Sequence, residues 1–235
     1  MNIWPLRGLL TPVPATRYPA TQETATGVTP GRPRAASAEA VLVCPTGALL
    51  SEAGHVNIDL ARCVHCFRCT RQAAAPAAWE SDYEWARPRG QRGALPAAFR
   101  RSIHVRVLDA GDCSACLAEL LQLESPAYSV HRLGIYITPT PRDADVLLVV
   151  GPVTNAMRAP LEQAYAAMPT PKRVIAAGAC AASGGLFGPS FASNGGAAGA
   201  VPIDLVVPGC PPPPLAILHG LLVVMGRAAP AEAPA

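Results

Sequence analysis

Charged and aromatic residues are scarce: 15% of the 235 residues are Asp, Glu, Lys or Arg, and 5% are Phe, Trp or Tyr. Half are hydrophobic, which excludes an extended disordered chain and leaves material for a sizeable core. A strong charge of one sign is missing too. Nineteen Lys and Arg stand against 16 Asp and Glu, a net +3 that is too mild for a dedicated nucleic-acid binder. No segment reaches the roughly 18 apolar residues of a membrane span. The longest candidate, Leu215–Met225, carries His219 and Gly220 and reads as a core helix. The Met1–Leu10 run is broken by Pro5 and Arg7 and lacks the charged start and cleavage site of a secretory signal, so a cytoplasmic location is expected. With 20 Gly and 26 Pro, long coiled coils are excluded. No G-x-G-x-x-G follows a strand and no G-x-S-x-G is present, which argues against a dinucleotide site and a hydrolase elbow.

What the chain does have is eight cysteines. In a reducing compartment these point to metal ligation or thiol chemistry rather than disulfides. Charge divides unevenly around them: residues 1–100 hold 11 basic and 7 acidic side chains, residues 101–235 hold 8 and 9. The first third is rich in Pro, Gly, Thr and Arg with little periodicity. Pro30–Pro33 reads as a linker and Ala73–Ala98 as a longer one. Trp79, Tyr83 and Trp85 interrupt the second stretch, so it is expected to pack on a neighbour.

From Ile103 onward the pattern changes. Ile103–Leu108, Gly134–Thr138, Val146–Val150, Arg173–Ala177 and Ile203–Val207 are short Val, Ile and Leu runs closed by Gly, Pro or Asp. Such runs suit strands buried on both faces of a parallel sheet. Ser114–Leu123, Ala156–Ala167 and Leu215–Met225 are helix-compatible, so an α/β doubly wound domain is predicted. Cys113, Cys180 and Cys210 follow the first, fourth and fifth runs, with Cys116 one helical turn beyond Cys113. Loops at the carboxyl ends of such strands converge on one edge, so four distant cysteines are expected to meet there. Their loops, Gly111-Asp-Cys, Gly178-Ala-Cys-Ala-Ala-Ser-Gly-Gly and Pro208-Gly-Cys-Pro-Pro, supply backbone N–H groups and exclude water, two levers on an iron–sulfur potential. Buried structural cysteines are the plain alternative, and zinc the next. Structural zinc favours two close pairs, whereas here one pair joins two singletons.

These residues, with His131-Arg-Leu-Gly-Ile and Thr140-Pro-Arg-Asp-Ala-Asp-Val-Leu-Leu-Val-Val-Gly-Pro-Val-Thr, resemble one family over roughly 103 to 225. It is the small subunit shared by membrane-bound [NiFe] hydrogenases, formate hydrogenlyase and the quinone module of respiratory complex I. The resemblance implies a flavodoxin-like domain whose Cys113, Cys116, Cys180 and Cys210 bind a [4Fe–4S] cluster next to a partner's catalytic centre. It also implies a hydrogenase-type large subunit, further iron–sulfur and integral membrane subunits, and peripheral attachment to the inner face of the membrane. Cys113-x-x-Cys116 is similar to the hydrogenase branch, since complex I members carry adjacent cysteines there. Glu119 matches an acidic position, and Pro213 stands where many members have Arg.

Cys63-Val-His-Cys66-Phe-Arg-Cys69 is preceded by Cys44-Pro. Each half of a bacterial two-cluster ferredoxin reads C-x-x-C-x-x-C-x-x-x-C-P, the fourth cysteine serving the other cluster. On that ruler the missing cysteines fall at Arg34, Ser37, Ala40 and Ala73, the complete ligand set of one cluster. Cys44, Cys63, Cys66 and Cys69 are the complete set of the other. A small α+β ferredoxin-like module that keeps one of two clusters is expected, with His65 facing solvent or lying beside the ligands. Trp4-Pro-Leu-Arg-Gly and Thr16-Arg-Tyr-Pro resemble the arm before such fused modules.

The expected layout is an arm (1–32), the [4Fe–4S] module (33–76), a packed linker (77–102), the sheet domain (103–228) and a tail (229–235). Two [4Fe–4S] clusters in an electron-transfer subunit of a hydrogenase-type oxidoreductase follow from this reading. Its alternatives are a complex I-like quinone oxidoreductase subunit and a non-catalytic redox-sensing or scaffold protein.

Overall fold

The computed structural model describes residues 15–21, 31–52 and 55–231; the Trp4–Gly8 segment and the tail past 231 lie outside them. Ten strands and six α-helices are assigned among the described residues. The first part runs β1 (Arg32–Ala35), α1 (Ala38–Leu42), β2 (Leu49–Glu52), β3 (His55–Ile58), α2 (Arg68–Arg71) and β4 (Ala78–Glu80). β1 pairs antiparallel with β4, and β2 with β3 through Leu49↔Ile58 to Glu52↔His55. Its core is small: Ala40, Leu49, Ile58 and Leu60, with Cys44, Cys63 and Cys69 packed against them. β4 lies beyond residue 76, in the stretch expected to be a linker. Trp79 anchors it, donating from Nε1 to Thr70 Oγ1 at 2.8 Å.

The second part begins in that same stretch with β5 (Arg87–Pro88), and continues with β6 (Ile103–Asp109), α3 (Ala115–Leu121), β7 (Ile135–Ile137) and β8 (Val146–Val150). It ends with α4 (Asn155–Ala167), β9 (Arg173–Ala177), α5 (Ala179–Ser183), β10 (Leu205–Val207) and α6 (Pro214–Val224). One six-stranded sheet has the order β5-β10-β9-β8-β6-β7, parallel except for the antiparallel edge strand β5. Counting parallel strands along the chain gives 2-1-3-4-5, the doubly wound flavodoxin-like order.

Alternation of side chains along each strand builds a core on both faces. Ile103, Val105, Val146, Leu148, Val150, Ile175, Ala177, Leu205 and Val207 pack on α3 and α6. Leu108, Leu147, Val149, Val174, Ala176 and Val206 pack on the α4 and α5 side. All of β8 is fully buried; each Val or Leu so removed from water contributes about 1.5–3 kcal/mol. The Thr16–Tyr18 arm lies on this domain. Arg132 donates to the carbonyls of Thr16 and Tyr18 at 2.8 and 2.7 Å, and buried Tyr18 meets Tyr83 edge to face at 5.1 Å. Among the described residues no helix is long and apolar enough to cross a membrane.

Candidate metal centres

At the carboxyl edge of the sheet, β6 runs into Asp109, whose Oδ1 accepts from the backbone N–H groups of Gly111 and Asp112 at 2.9 and 2.7 Å. Asp112 Oδ2 in turn accepts from Leu117 N at 3.2 Å, which orients the first turn of α3 and the Cys113–Cys116 pair. β9 delivers Cys180 on α5, and β10 delivers Cys210 on the loop before α6. The last two are tied together: Gly178 N donates to Val207 O at 2.8 Å and Ala179 N to Gly209 O at 2.7 Å.

Two glycines show how closely these pieces approach. A Cβ on Gly178, at φ +91°, would stand 2.6 Å from Cys116 Sγ, and one on Gly185, at φ +57°, 2.9 Å from Cys180 Sγ. Only a residue without a Cβ fits both the backbone conformation and the sulfur beside it.

The electrostatics report the same convergence. Burial pushes the Cys180 thiol up to about 11, with Cys210, Cys113 and Asp112 adding repulsion. Burial raises Cys116 further still, reinforced by Asp112 and then Cys180, Cys210 and Cys113. Cys210 is raised by burial and by Cys113 and Asp112. Three neighbouring thiols that resist becoming anions, Cys116, Cys180 and Cys210, need a cation among them to ionise together. Glu119, on α3 after Cys116, has its carboxyl raised by burial, and Pro213 is the residue preceding α6.

The second group lies in the N-terminal part. Cys44, Cys63, Cys66 and Cys69 line one apolar hollow with Pro33, Leu49 and Trp79 among its walls. Burial pushes Cys63 up to about 12, with Cys69, Cys44 and Cys66 adding repulsion and the His65 backbone opposing. Burial also acts on Cys44, but backbone groups of Thr46, Leu49 and Ala48 outweigh it and draw its thiol below the ordinary 9.0. N–H groups aimed at a thiolate are what iron–sulfur ligands use.

The four positions without cysteine are closed by other means. Ala40 is fully buried, Ala73 packs on the small core, and Arg34 pairs with Glu80 at 3.3 Å. Ser37 Oγ caps α1 by accepting from Ala40 N at 3.3 Å.

His65 does not face solvent. Its Nε2 lies 3.0 Å from Gly31 O, and its ring stacks on Trp85 with centroids 5.5 Å apart and planes at 21°. Burial lowers its pKa. Trp85, held by a hydrogen bond from Nε1 to Asp82, thereby links the Cys63 run to the sheet domain. A second link joins the two thiol groups: Ser183 Oγ, on the helix that carries Cys180, donates to Ala61 O, two residues before Cys63, at 2.9 Å. Sequence reasoning missed both links. The paired tryptophans were the available signal for the first; a lone serine gave none for the second.

A mononuclear thiolate site draws sulfurs to about 2.3 Å of one ion. Among the described residues no group of three or more His, Cys, Asp or Glu is arranged to hold a metal ion. The donor set of each quartet is thiol alone, which fits a cluster in which each iron takes its own thiolate.

Fold and site thus define a doubly wound α/β protein with cysteines gathered at its sheet edge. Residues 113–224 match the family described as NADH ubiquinone oxidoreductase, 20 Kd subunit, and the chain belongs to that family of oxidoreductase subunits. The match begins at Cys113, so the N-terminal quartet lies outside it. The chain is 41% identical over 135 residues to formate hydrogenlyase subunit 7 of Escherichia coli, covering 57% of this chain and 53% of that one. It therefore spans about half the length of that relative. An uncharacterized protein of Methanocaldococcus jannaschii is 43% identical over 129 residues, 55% of this chain and 86% of that one. The probable membrane-bound hydrogenase subunit mbhJ of Pyrococcus furiosus is 40% identical over 129 residues, 55% and 77%.

Proposed function

We propose that this chain is the electron-transfer subunit of a membrane-associated [NiFe] hydrogenase-type complex. Cys113, Cys116, Cys180 and Cys210 would hold one [4Fe–4S] cluster, and Cys44, Cys63, Cys66 and Cys69 another, in a ferredoxin-like module. The observation that carries this is the presence of two complete thiol quartets, each gathered in one place, in a member of this family. When bound, such clusters supply one-electron transfer at potentials set by burial and N–H bonds. The chain's part is to hold the thiolates, exclude water with Pro211–Pro214 and the apolar hollow, and keep the two quartets in register through Ser183 and Trp85.

A large catalytic subunit, other iron–sulfur subunits and integral membrane subunits would complete the assembly, at the inner face of the membrane. The names of the formate hydrogenlyase and membrane-bound hydrogenase relatives support that reading. The family's description supports a second, quinone reduction in a complex I-like assembly. Cysteine pairs that bind nickel and iron in the neighbouring large subunit would favour the first; their absence would leave the second.

The direct test is iron counting on anaerobic protein. About eight irons per chain are expected, in two EPR-distinct [4Fe–4S] clusters. Cys66→Ser and Cys44→Ser should each remove about half, leaving the sheet domain folded. Unchanged iron and signals in Cys44→Ser would sink the N-terminal assignment, and zinc in place of iron would end the electron-transfer reading.

A further inference from the structure

Arg87 on the edge strand β5 is half-buried, and its side chain makes no hydrogen bond or ion pair among the described residues; its Nε is buried without a partner. A guanidinium removed from water and left unpaired is costly and calls for an explanation. Burial and the charge of Arg32 both act against its charge, and Asp59 and Asp82 only partly compensate.

Arg87 lines an open groove of about 780 Å³ where the N-terminal module meets the sheet domain. Asp59 and Arg62 contribute from one side, Arg87 from the edge strand with Arg89 just after it, and Ser183 and Pro208 from the other domain. Arg89 is already held by Ala182 O at 2.6 Å, and Arg62 leans on Asp59 at 3.6 Å. Three guanidiniums therefore meet one carboxylate, and two positive charges have no counter-charge in the groove.

We propose that this groove is a binding site for an oxyanion of the phosphate or dicarboxylate class, whose oxygens take the free donors of Arg87. A planar fork of N–H groups matches such oxygens in pairs, and a dianion neutralises the excess charge. Asp59 is already engaged within the wall: its Oδ1 accepts from Ala61 N at 3.0 Å and its Oδ2 lies 3.6 Å from Arg62 Nε. The bound anion touches both domains, so it braces the junction that Ser183 and Ala61 begin. The site needs neither cluster and stands independently of the function proposed above.

The test uses the full iron-loaded chain, kept anaerobic in chloride buffer at fixed ionic strength, with inorganic phosphate and then succinate as probes. Phosphate also stabilises proteins by exclusion from their surface, so the variant decides. Without phosphate, Arg87→Gln should unfold at the same temperature as the wild type or higher, having lost an unpaired buried charge. With phosphate or succinate the wild type should rise above it, by the linkage of ligand to the native state. Equilibrium dialysis should find one phosphate per wild-type chain, bound about tenfold more weakly by Arg87→Lys, which keeps the charge but loses the fork. Equal thermal shifts in wild type and Arg87→Gln, or no stoichiometric phosphate, would overturn the proposal. Should Arg87→Gln not fold, the dialysis with Arg87→Lys decides alone, and binding as tight as in the wild type would also overturn the proposal. Repeating the dialysis on the chain within its complex identifies the source: phosphate still taken up means a free anion, and phosphate excluded means a carboxylate of a partner.

Discussion

The two thiol quartets are built in opposite ways. Three of the N-terminal four lie within Cys63–Cys69, on turns and a four-residue helix, over a core of four small or medium side chains. The C-terminal four come from three loops, with Cys113 and Cys210 separated by most of the domain, and are brought together by a sheet with two packed faces. The first arrangement is local and depends on caps and turns. The second is tertiary, and any change that moves one strand end moves the whole set. Segments with few buried contacts open more readily than core strands, so the module should be the weaker partner in stability and the sheet edge the less tolerant of a misplaced atom.

The largest expected effect is at Gly178. Its φ of +91° with an extended ψ is a region essentially reserved for glycine, and the new Cβ of Gly178→Ala would meet Cys116 Sγ at 2.6 Å. Strain of about 1–3 kcal/mol adds to displacement of a sulfur. Iron should fall by about half, with only the C-terminal signal lost. Gly93→Ala, where nothing lies within 4 Å of the new atom, is the control and should keep all of it. Full iron in Gly178→Ala would show that the sheet edge tolerates what its geometry forbids.

Next comes His219, which joins α6 to the edge of the sheet. Fully buried, it accepts the Ala86 N–H at Nδ1 (3.2 Å), so the proton sits on Nε2 and is donated to Ala229 O at 2.9 Å. Burial holds its pKa below the ordinary 6.5; Ala229, Glu84 and Asp82 raise it in part, and Arg32 lowers it. The unfolded chain therefore binds the proton more readily. His219 stabilises the domain fully above about pH 6.5 and progressively less as pH falls below it. Urea unfolding from pH 8 to pH 5 should show that decline in the wild type. His219→Leu should lose it while costing about 1–3 kcal/mol at pH 8 for the orphaned Ala86 N–H. N-terminal iron at pH 8 should not change, and an equal loss from both quartets would erase the distinction drawn between them.

Much of this was legible in the sequence, and the reasons differ by element. The five parallel strands were visible because each is rich in Val, Ile or Leu and closed by Gly, Pro or Asp, and β8 is buried at every position. Convergence of Cys113, Cys116, Cys180 and Cys210 followed from their places after the carboxyl ends of those strands. β5 was invisible: Arg-Pro has no apolar pattern, and its place is set by pairing with Leu205 and Val206 far along the chain. β1 and β4 escaped for a similar reason, with Pro33 opposite Trp79 and a register shift between Pro33 and Ala35. Asp145 accepts from His104 N at 2.8 Å, a contact across two strands that no local pattern announces. Neither the stacking of His65 on Trp85 nor the unpaired Arg87 has a local signature, since both arise only where two domains touch.

The smallest effect should be at Ser37, and it probes the local quartet alone. Where the ferredoxin ruler would place a cysteine, this serine has two other tasks. Its Oγ accepts from Ala40 N at 3.3 Å and donates to Ala75 O at 3.0 Å. α1 is five residues long, too short to persist without such help. Ser37→Ala should therefore cost about 1 kcal/mol, confined to the module. Amide exchange at Ala40 and Val41 should quicken roughly fivefold, the equivalent of that energy. Iron loss to a chelator from the N-terminal quartet should quicken by a similar factor, because Cys44 follows α1 directly. Exchange in β8 and iron at the sheet edge should stay as in the wild type. If both quartets loosened together, the module would not be a separate unit, and Ser37 would be bracing the whole molecule through β4.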